Sequence, residues 1–401
     1  MLQRTIRLYN MQQMAGGLYS VDKQNPATPT GINSMKSPLF ASMQEALKKV
    51  KAGHLTDAAT TLQQAFREKS KVAPTETTPP SPTPHAGLGQ IFERVQEQLN
   101  AFQQRSSTFQ VTPHQAADLP PNARFLTKTF SNQYGSRQYK LYIPSTYQDQ
   151  PLPLIIMLHG CTQNPDDFAL GTQMNELAEQ HSLLIAYPEQ PQSANPNRCW
   201  NWFKPQDQLA QEGEPSILAG ITQTIMNEYL VKGQQVFIAG ISAGGAMAAI
   251  MAARYPKLYR GVGIHSGLGL GSAHDLPSAL IAMNRGTRPE GLQHFVPTII
   301  FQGTQDKTVS PKNAEYLFEQ AKTAFQQQTE HFELNTQRQQ PQHSHAYTQT
   351  NLKNTQAINQ IEYWQIEGLG HAWSGGDKSG SYTDPQGPKA SAEMLRFFLA
   401  L

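Results

Sequence analysis

Val236-Phe237-Ile238-Ala239-Gly240-Ile241-Ser242-Ala243-Gly244-Gly245-Ala246-Met247 joins a run of β-favouring apolar residues to an Ala/Met-rich segment of helical character through Gly-x-Ser-x-Gly. A strand that turns into a helix this abruptly strains the residue at the corner, and glycines on either side let neighbouring chain approach it. A serine held there displays its hydroxyl at the end of a strand. The helix dipole and the first free N–H groups then lie beside any negative charge that forms. Serine is also an ordinary helix N-cap, so this turn takes its meaning from what surrounds it.

Outward from that turn, short apolar runs recur without polar alternation: Leu154–Leu158, Leu183–Ala186, Val262–Ile264, Thr298–Phe301 and Ile361–Ile366. Strands apolar on both faces are what a parallel sheet covered by helices requires. Helical segments at Met174–Gln180, Ile217–Tyr229 and Gly245–Arg254 separate them, so the pattern predicts an α/β layer domain over 116–401. Leu126–Phe130 and Tyr139–Ile143, joined around Asn132–Gly135, read as an antiparallel pair at its start. Two stretches interrupt the alternation: 268–296, rich in Gly, Ser and Pro, and 325–360, loaded with glutamine. Insertions of this length in compact domains are usually lids, binding loops or disorder.

Residues before 116 have a different character. Residues 1–40 are polar and weakly periodic. Apolar residues step by three and four over 41–72, which predicts a helical hairpin broken at Ala52-Gly53-His54. Five prolines among threonines make 73–87 a semi-rigid linker, and 88–115 carries a third amphipathic helix, Leu88–Phe102. These helices are expected to serve packing or self-association, or a polymer-binding surface, and to be dispensable for chemistry. The start of the chain, Met1–Asn10, has no apolar core of signal-peptide length, which points to the cytoplasm.

Charge and cysteine count exclude several classes. The 401 residues carry a net charge of +2, so no strong field attracts nucleic acid or anionic lipid. No apolar run approaches the ~20 residues that a bilayer span requires. Two cysteines cannot build a disulfide scaffold or a four-cysteine zinc site. No metal and no cofactor is expected.

A serine hydroxyl needs a base to act as a nucleophile, and the base needs an orienting carboxylate. In α/β hydrolases these follow in the order Ser, acid, His, each on a loop after a strand. Pro297–Gln305 is a buried run that ends in Asp306, and Ile361–Gly370 ends in His371. The rival acids Asp275, Asp377 and Asp384 follow no strand directly. Among rival histidines, His265 and His294 are considered, and His343 and His345 read as solvated loop residues. Two backbone N–H groups must receive the oxyanion: one from the residue after the nucleophile, Ala243, and one from the loop after the third strand. Leu154–Gln163 is that strand and loop, which selects Cys161 as the second donor and leaves His159 to brace the loop.

Leu158-His159-Gly160-Cys161-Thr162-Gln163, Cys199-Trp200-Asn201-Trp202, Gly240–Gly245 and His371-Ala372-Trp373-Ser374-Gly375-Gly376 resemble the polyhydroxybutyrate-depolymerase family of esterases. That family includes feruloyl- and acetylxylan-esterase-like members, and the likeness covers roughly residues 120–401. It implies an α/β-hydrolase fold, a Ser242–Asp306–His371 triad, oxyanion donors at Cys161 and Ala243, and an ester as the partner. Secreted members of the family make an extracellular location the alternative. Cys161 and Cys199 each fall inside a motif. They are either a disulfide, worth about 3–4 kcal/mol on the loop-entropy model, or two reduced thiols, as a cytosolic location favours. Trp200, Trp202 and Trp373 adjoin motif residues and are expected to wall a substrate pocket, the alternative being ordinary core. The expected substrates are 3-hydroxyalkanoate esters. The alternatives are feruloyl or acetyl esters, a peptidase, or a non-enzymatic granule- or polymer-binding scaffold.

Overall fold

In the computed structural model the described residues are 119–401. The expectations for 1–40, 41–72, 73–87 and 88–115, and the first three residues of 116–401, concern residues outside that range. Three of the apolar runs form the centre of the sheet: β3 (Leu152–Leu158), β4 (Leu184–Pro188) and β5 (Val231–Ile241). Every residue of β3 is buried. Its side chains alternate between two cores: Leu154, Ile156 and Leu158 enter one, while Ile155 and Met157 enter the other. A strand with helices on both faces has no solvent side, which is why the sequence shows no polar alternation there. Burying each such Leu or Ile side chain contributes about 1.5–3 kcal/mol.

With β1 (Arg124–Asn132), β2 (Gly135–Ile143), β6 (Gly261–His265), β7 (Thr298–Gly303), β8 (Glu333–Gln339), β9 (Tyr347–Lys353) and β10 (Asn359–Ile366), the described residues build a ten-stranded sheet. Its order is β1-β2-β4-β3-β5-β6-β7-β10-β9-β8. β4, β3, β5, β6, β7 and β10 run parallel, flanked by antiparallel pairs at both edges. This is the α/β-hydrolase fold read from the sequence. Helices cover both faces. α1 (Pro165–Thr172), α2 (Met174–His181) and α7 (Ala390–Leu399) lie on one, through Phe168, Met174, Met394 and Phe398. α3 (Gly213–Glu228) and α4 (Ala243–Arg254) lie on the other, through Ile217, Ile221, Met247 and Ile250. No described helix is long and apolar enough to cross a membrane.

The two insertions differ from expectation in an informative way. Residues 268–296 contain α5 (Leu276–Arg285), started by a capping box in which Asp275 accepts from the Ser278 N–H. Residues 325–360 are neither lid nor disorder over most of their length. They complete α6 (Lys312–Gln326) and then form the β8–β9 hairpin, which adds to the sheet edge beside β10. Chain order reverses about β3, with β4 on one side and β5 on the other. Ligands of open α/β sheets gather at the carboxyl ends of strands beside such a switch point.

Candidate active site

The turn after β5 is as strained as its sequence predicts. Ser242 has φ 58° and ψ −123°, a region that residues with a Cβ rarely enter. Its N–H donates to the His265 carbonyl at 2.9 Å, and its carbonyl receives the Ala246 N–H at 2.9 Å to open α4. A Cβ on Gly244 would meet the carbonyl oxygens of Leu158 and His159, and one on Gly240 would meet the Gly244 backbone. Both glycines are thus required by close approach of β3 to the turn. Gly244→Ala is expected to cost about 1–3 kcal/mol, the usual scale of overpacking, read as a lowered thermal unfolding midpoint. An unchanged midpoint would show that the β3–α4 approach is looser than this geometry requires.

Asp306 follows β7 and His371 follows β10, and the two meet with His371 Nδ1 and Asp306 Oδ2 2.7 Å apart. The other partners of the carboxylate also donate: Thr308 N–H at 2.9 Å, Val309 N–H at 2.8 Å and Gln302 Nε2 at 3.1 Å. Burial alone would raise the Asp306 carboxyl, but the charge and hydrogen bond of His371 and the two backbone N–H groups outweigh it. They hold it below the usual carboxylate range. A proton on His371 Nδ1 leaves Nε2 as the lone-pair nitrogen. Ser242 and His371 line one small pocket together with Gly160, Cys161, Ile241 and Tyr382.

Cys161 lies on the loop after β3 and Ala243 directly after Ser242, at the first position of α4. The Ala243 N–H heads α4 and has no partner one turn back. The Cys161 N–H meets no acceptor among the described residues. Cys161 is disulfide-bonded to Cys199, 38 residues on, which ties the loop after β3 to the Trp200/Trp202 loop. His159 braces the loop after β3: it is fully buried, its Nδ1 lies 2.7 Å from the Gly160 carbonyl, and its Nε2 accepts the Gln190 N–H at 3.1 Å. Behind Asn201 lies a buried network that sequence reading missed. The Glu214 carboxylate accepts the Asn201 N–H at 2.8 Å and Asn201 Nδ2 at 2.7 Å, and pairs with Arg137 at 3.3 Å.

The tryptophans are a correction. Trp200, Trp202 and Trp373 are buried in the cores and do not line the pocket. Trp200 Nε1 donates to the His159 carbonyl at 3.1 Å and Trp373 Nε1 to Ser391 Oγ at 3.0 Å, so their polar edges are used inside the protein. They support the walls of the site from behind. The rival acids lie elsewhere: Asp275 caps α5, and Asp377 accepts the Ser379 N–H. Asp384 pairs with His345, Oδ2 to Nε2 at 3.0 Å, so His345 is half-buried and partnered, not a solvated loop residue. His343 and His294 are exposed. His265 is buried beside the triad, where its Nε2 accepts the Ser374 N–H at 3.1 Å and its ring stacks on Trp373.

The pocket also holds a residue that the sequence did not single out. After the short strand β11 (Trp373–Ser374) the chain loops out and returns to pair as β12 (Thr383–Asp384). That return brings Tyr382 into the lining of the pocket that holds Ser242. Its only local signal is an aromatic residue in a Gly/Ser-rich turn.

Burial lowers the ring of His159 to about 4 and that of His265 to about 3. Both fold as neutral imidazoles. In the unfolded chain each binds a proton below about 6.5, so their contribution to stability is full above that pH. It is lost as pH falls toward the folded values, at up to roughly 1.4 kcal/mol per pH unit for each ring. The calorimetric unfolding midpoint is expected to drop between pH 7 and pH 4, and a flat midpoint across that range would contradict it.

Comparison with known proteins follows the motifs. Residues 137–323 match the family model described as Esterase PHB depolymerase, a span that holds Cys161, Ser242 and Asp306. The chain is similar to poly(3-hydroxyalkanoate) depolymerase C of Paucimonas lemoignei, 28% identical over 205 residues, covering 48% of this chain and 49% of that protein. It is 28% identical to acetylxylan esterase A of Talaromyces purpureogenus over 155 residues, 38% of this chain and 39% of that protein. The chain therefore spans half or less of the length of these two relatives. In three dimensions it resembles the acetyl xylan esterase from Aspergillus awamori, with a TM-score of 0.51 and 19% identity over 70% of this chain and 99% of that one. At that identity the likeness speaks for the fold.

Proposed function

We propose that this chain, whose residues 137–323 match the esterase family model, is a serine carboxylic-ester hydrolase that works through an acyl-enzyme. One arrangement supports this above all: a strained Ser242 lines one small pocket with His371 and Cys161, Asp306 is paired to His371, and the Ala243 N–H follows Ser242 at the head of α4. Ser242 Oγ attacks the ester carbonyl as His371 Nε2 takes its proton. The carbonyl oxygen, now an anion, turns toward the two N–H groups. His371 then gives its proton to the departing alcohol, and a water activated by the same nitrogen releases the acid. Asp306 stays ionised throughout and holds the ring.

The substrates we favour are poly- or oligo-(3-hydroxybutyrate)-type esters, in keeping with the depolymerase relative. Acetyl or feruloyl esters are the second reading. It is favoured by the acetylxylan esterase relative at the same 28% identity and by a feruloyl esterase B of Thermothelomyces thermophilus at 26%. Turnover of p-nitrophenyl esters, hydroxybutyrate oligomers and methyl ferulate ranks these directly. A folded chain that releases product from none of them would overturn the hydrolase assignment. The Cys161–Cys199 disulfide supports action in an oxidising compartment, the extracellular alternative rather than the cytoplasm.

A further inference from the structure

We infer that Tyr382 sets which acyl group the site admits, and that its hydroxyl steadies the oxyanion loop through Thr162. The inference rests on the ester-hydrolase assignment above and adds a specificity residue to it.

Tyr382 lines the pocket that holds Ser242 and His371. It has φ 52°, a left-handed conformation that costs a non-glycine residue about 1–2 kcal/mol and persists only where surroundings impose it. The surroundings are explicit. Just before it, the Ser381 N–H donates to Asp167 Oδ1 at 2.8 Å, and Gln163 Nε2 donates to the Ser381 carbonyl at 3.1 Å. The Tyr382 carbonyl receives the Trp373 N–H at 2.6 Å. Just after it, Thr383 Oγ1 donates to the Gly380 carbonyl at 2.9 Å, and Asp384 is held by His345. The backbone that carries the ring is thus held on both sides.

The same side chain that ties this segment down also grips the oxyanion loop, since Gln163 Oε1 accepts the Gly160 N–H at 2.9 Å. The hydroxyl makes a second link. Thr162 Oγ1 donates to the Cys161 carbonyl at 2.6 Å, which leaves its lone pairs to receive the Tyr382 phenol at 3.3 Å. Thr162 is itself held at φ 66°, an outlier for a β-branched residue. Two strained residues are therefore joined by their hydroxyls immediately beside the Cys161 N–H.

The stereochemistry of the reaction says which part of the ester meets the ring. Of the groups on the attacked carbon, the oxyanion lies at Cys161 and Ala243, and the alcohol must lie against His371, which protonates it. The rest of the lining is Gly160 and Gln163, which are hydrogen-bonded to each other, and Ile241 and Tyr382, the two with large apolar side-chain surface, along which we place the acyl substituent. An aliphatic side chain and an aromatic ring lining one small pocket suit it to short acyl groups.

The test uses the full chain and p-nitrophenyl acetate, butyrate and octanoate, with a parallel series of acetates of different alcohols. Tyr382→Ala is expected to raise the octanoate-to-acetate ratio of kcat/KM at least about tenfold. Tyr382→Trp, which narrows the slot, is expected to lower it, so a folding defect in either variant leaves the other to decide. Tyr382→Phe should lower kcat about five- to tenfold at all chain lengths with KM and the ratio unchanged, because the link to Thr162 is lost while the ring stays. Unchanged acyl ratios in Ala and Trp variants, or shifts confined to the alcohol series, would overturn the specificity role. An unchanged kcat in the Phe variant would overturn the hydroxyl's role. A wild-type chain inactive on every ester counts against the hydrolase assignment, whereas an active one with unchanged ratios counts against this inference alone.

Discussion

Replacing Ser242 with alanine is expected to lower ester turnover by about 10⁴- to 10⁶-fold, the scale on which removal of a triad serine acts. The variant keeps its fold for a reason visible at the turn. The strain at φ 58° belongs to any residue with a Cβ, and the Ser242 side chain caps nothing in α4. Alanine therefore removes the hydroxyl and little else. The N–H groups of Cys161 and Ala243 remain to polarise a bound carbonyl, so some catalysis over water should persist. Turnover and the thermal midpoint, measured together on p-nitrophenyl butyrate, separate the effects. Near-wild-type activity in a folded variant would remove Ser242 as the nucleophile.

Asp306→Asn should cost about 10³- to 10⁴-fold, and the hydrogen-bond census explains why. The carboxylate accepts from His371 Nδ1, Gln302 Nε2 and the N–H groups of Thr308 and Val309. An asparagine offers one acceptor oxygen. If that oxygen keeps the two backbone N–H groups, its NH₂ faces His371 Nδ1. The ring must then accept there and carry its proton on Nε2, the tautomer that cannot take a proton from Ser242. The loss should appear in kcat, with the thermal midpoint lowered as a smaller companion effect. Asp275→Asn and Asp377→Asn, which act on a helix cap and a surface turn, should leave kcat near wild type. Greater damage from either would mean that the acid is elsewhere.

The parts of the molecule that were legible from sequence share a property: a local pattern decides them. Buried parallel strands announce themselves as apolar runs, and β3, β4, β6 and β7 lie within a few residues of their predicted bounds. Ser242, Asp306 and His371 each sit at the end of such a run. The β8–β9 hairpin was read as a polar insertion because its residues, Glu333–Gln339 and Tyr347–Lys353, are mostly exposed or half-buried glutamines, threonines and asparagines. Its place is set by backbone pairing with β10, which side-chain pattern does not record. The tryptophans adjoined motif residues, and adjacency in sequence was mistaken for adjacency to the substrate. Trp373 follows His371 by two positions, yet its ring packs against His265 and Phe168 inside the core. Tyr382 was overlooked for the converse reason, because what brings it to the pocket is held by partners some two hundred residues away.

That distance has a consequence for how the chain acquires its activity. The bonds from Asp167 to Ser381 and from Thr162 to Tyr382 join residues 214 and 220 positions apart, and the parallel strands between them can pair only after long crossovers have formed. Non-local pairings of this kind are slow to nucleate, because the entropy of loop closure comes due before the contacts that reward it. The pocket can be complete only when the first and last strands of the parallel core are both in register. The proposed hydrolytic activity would thus report the final assembly step, and in refolding it should return after the helical circular-dichroism signal, with the slowest phase.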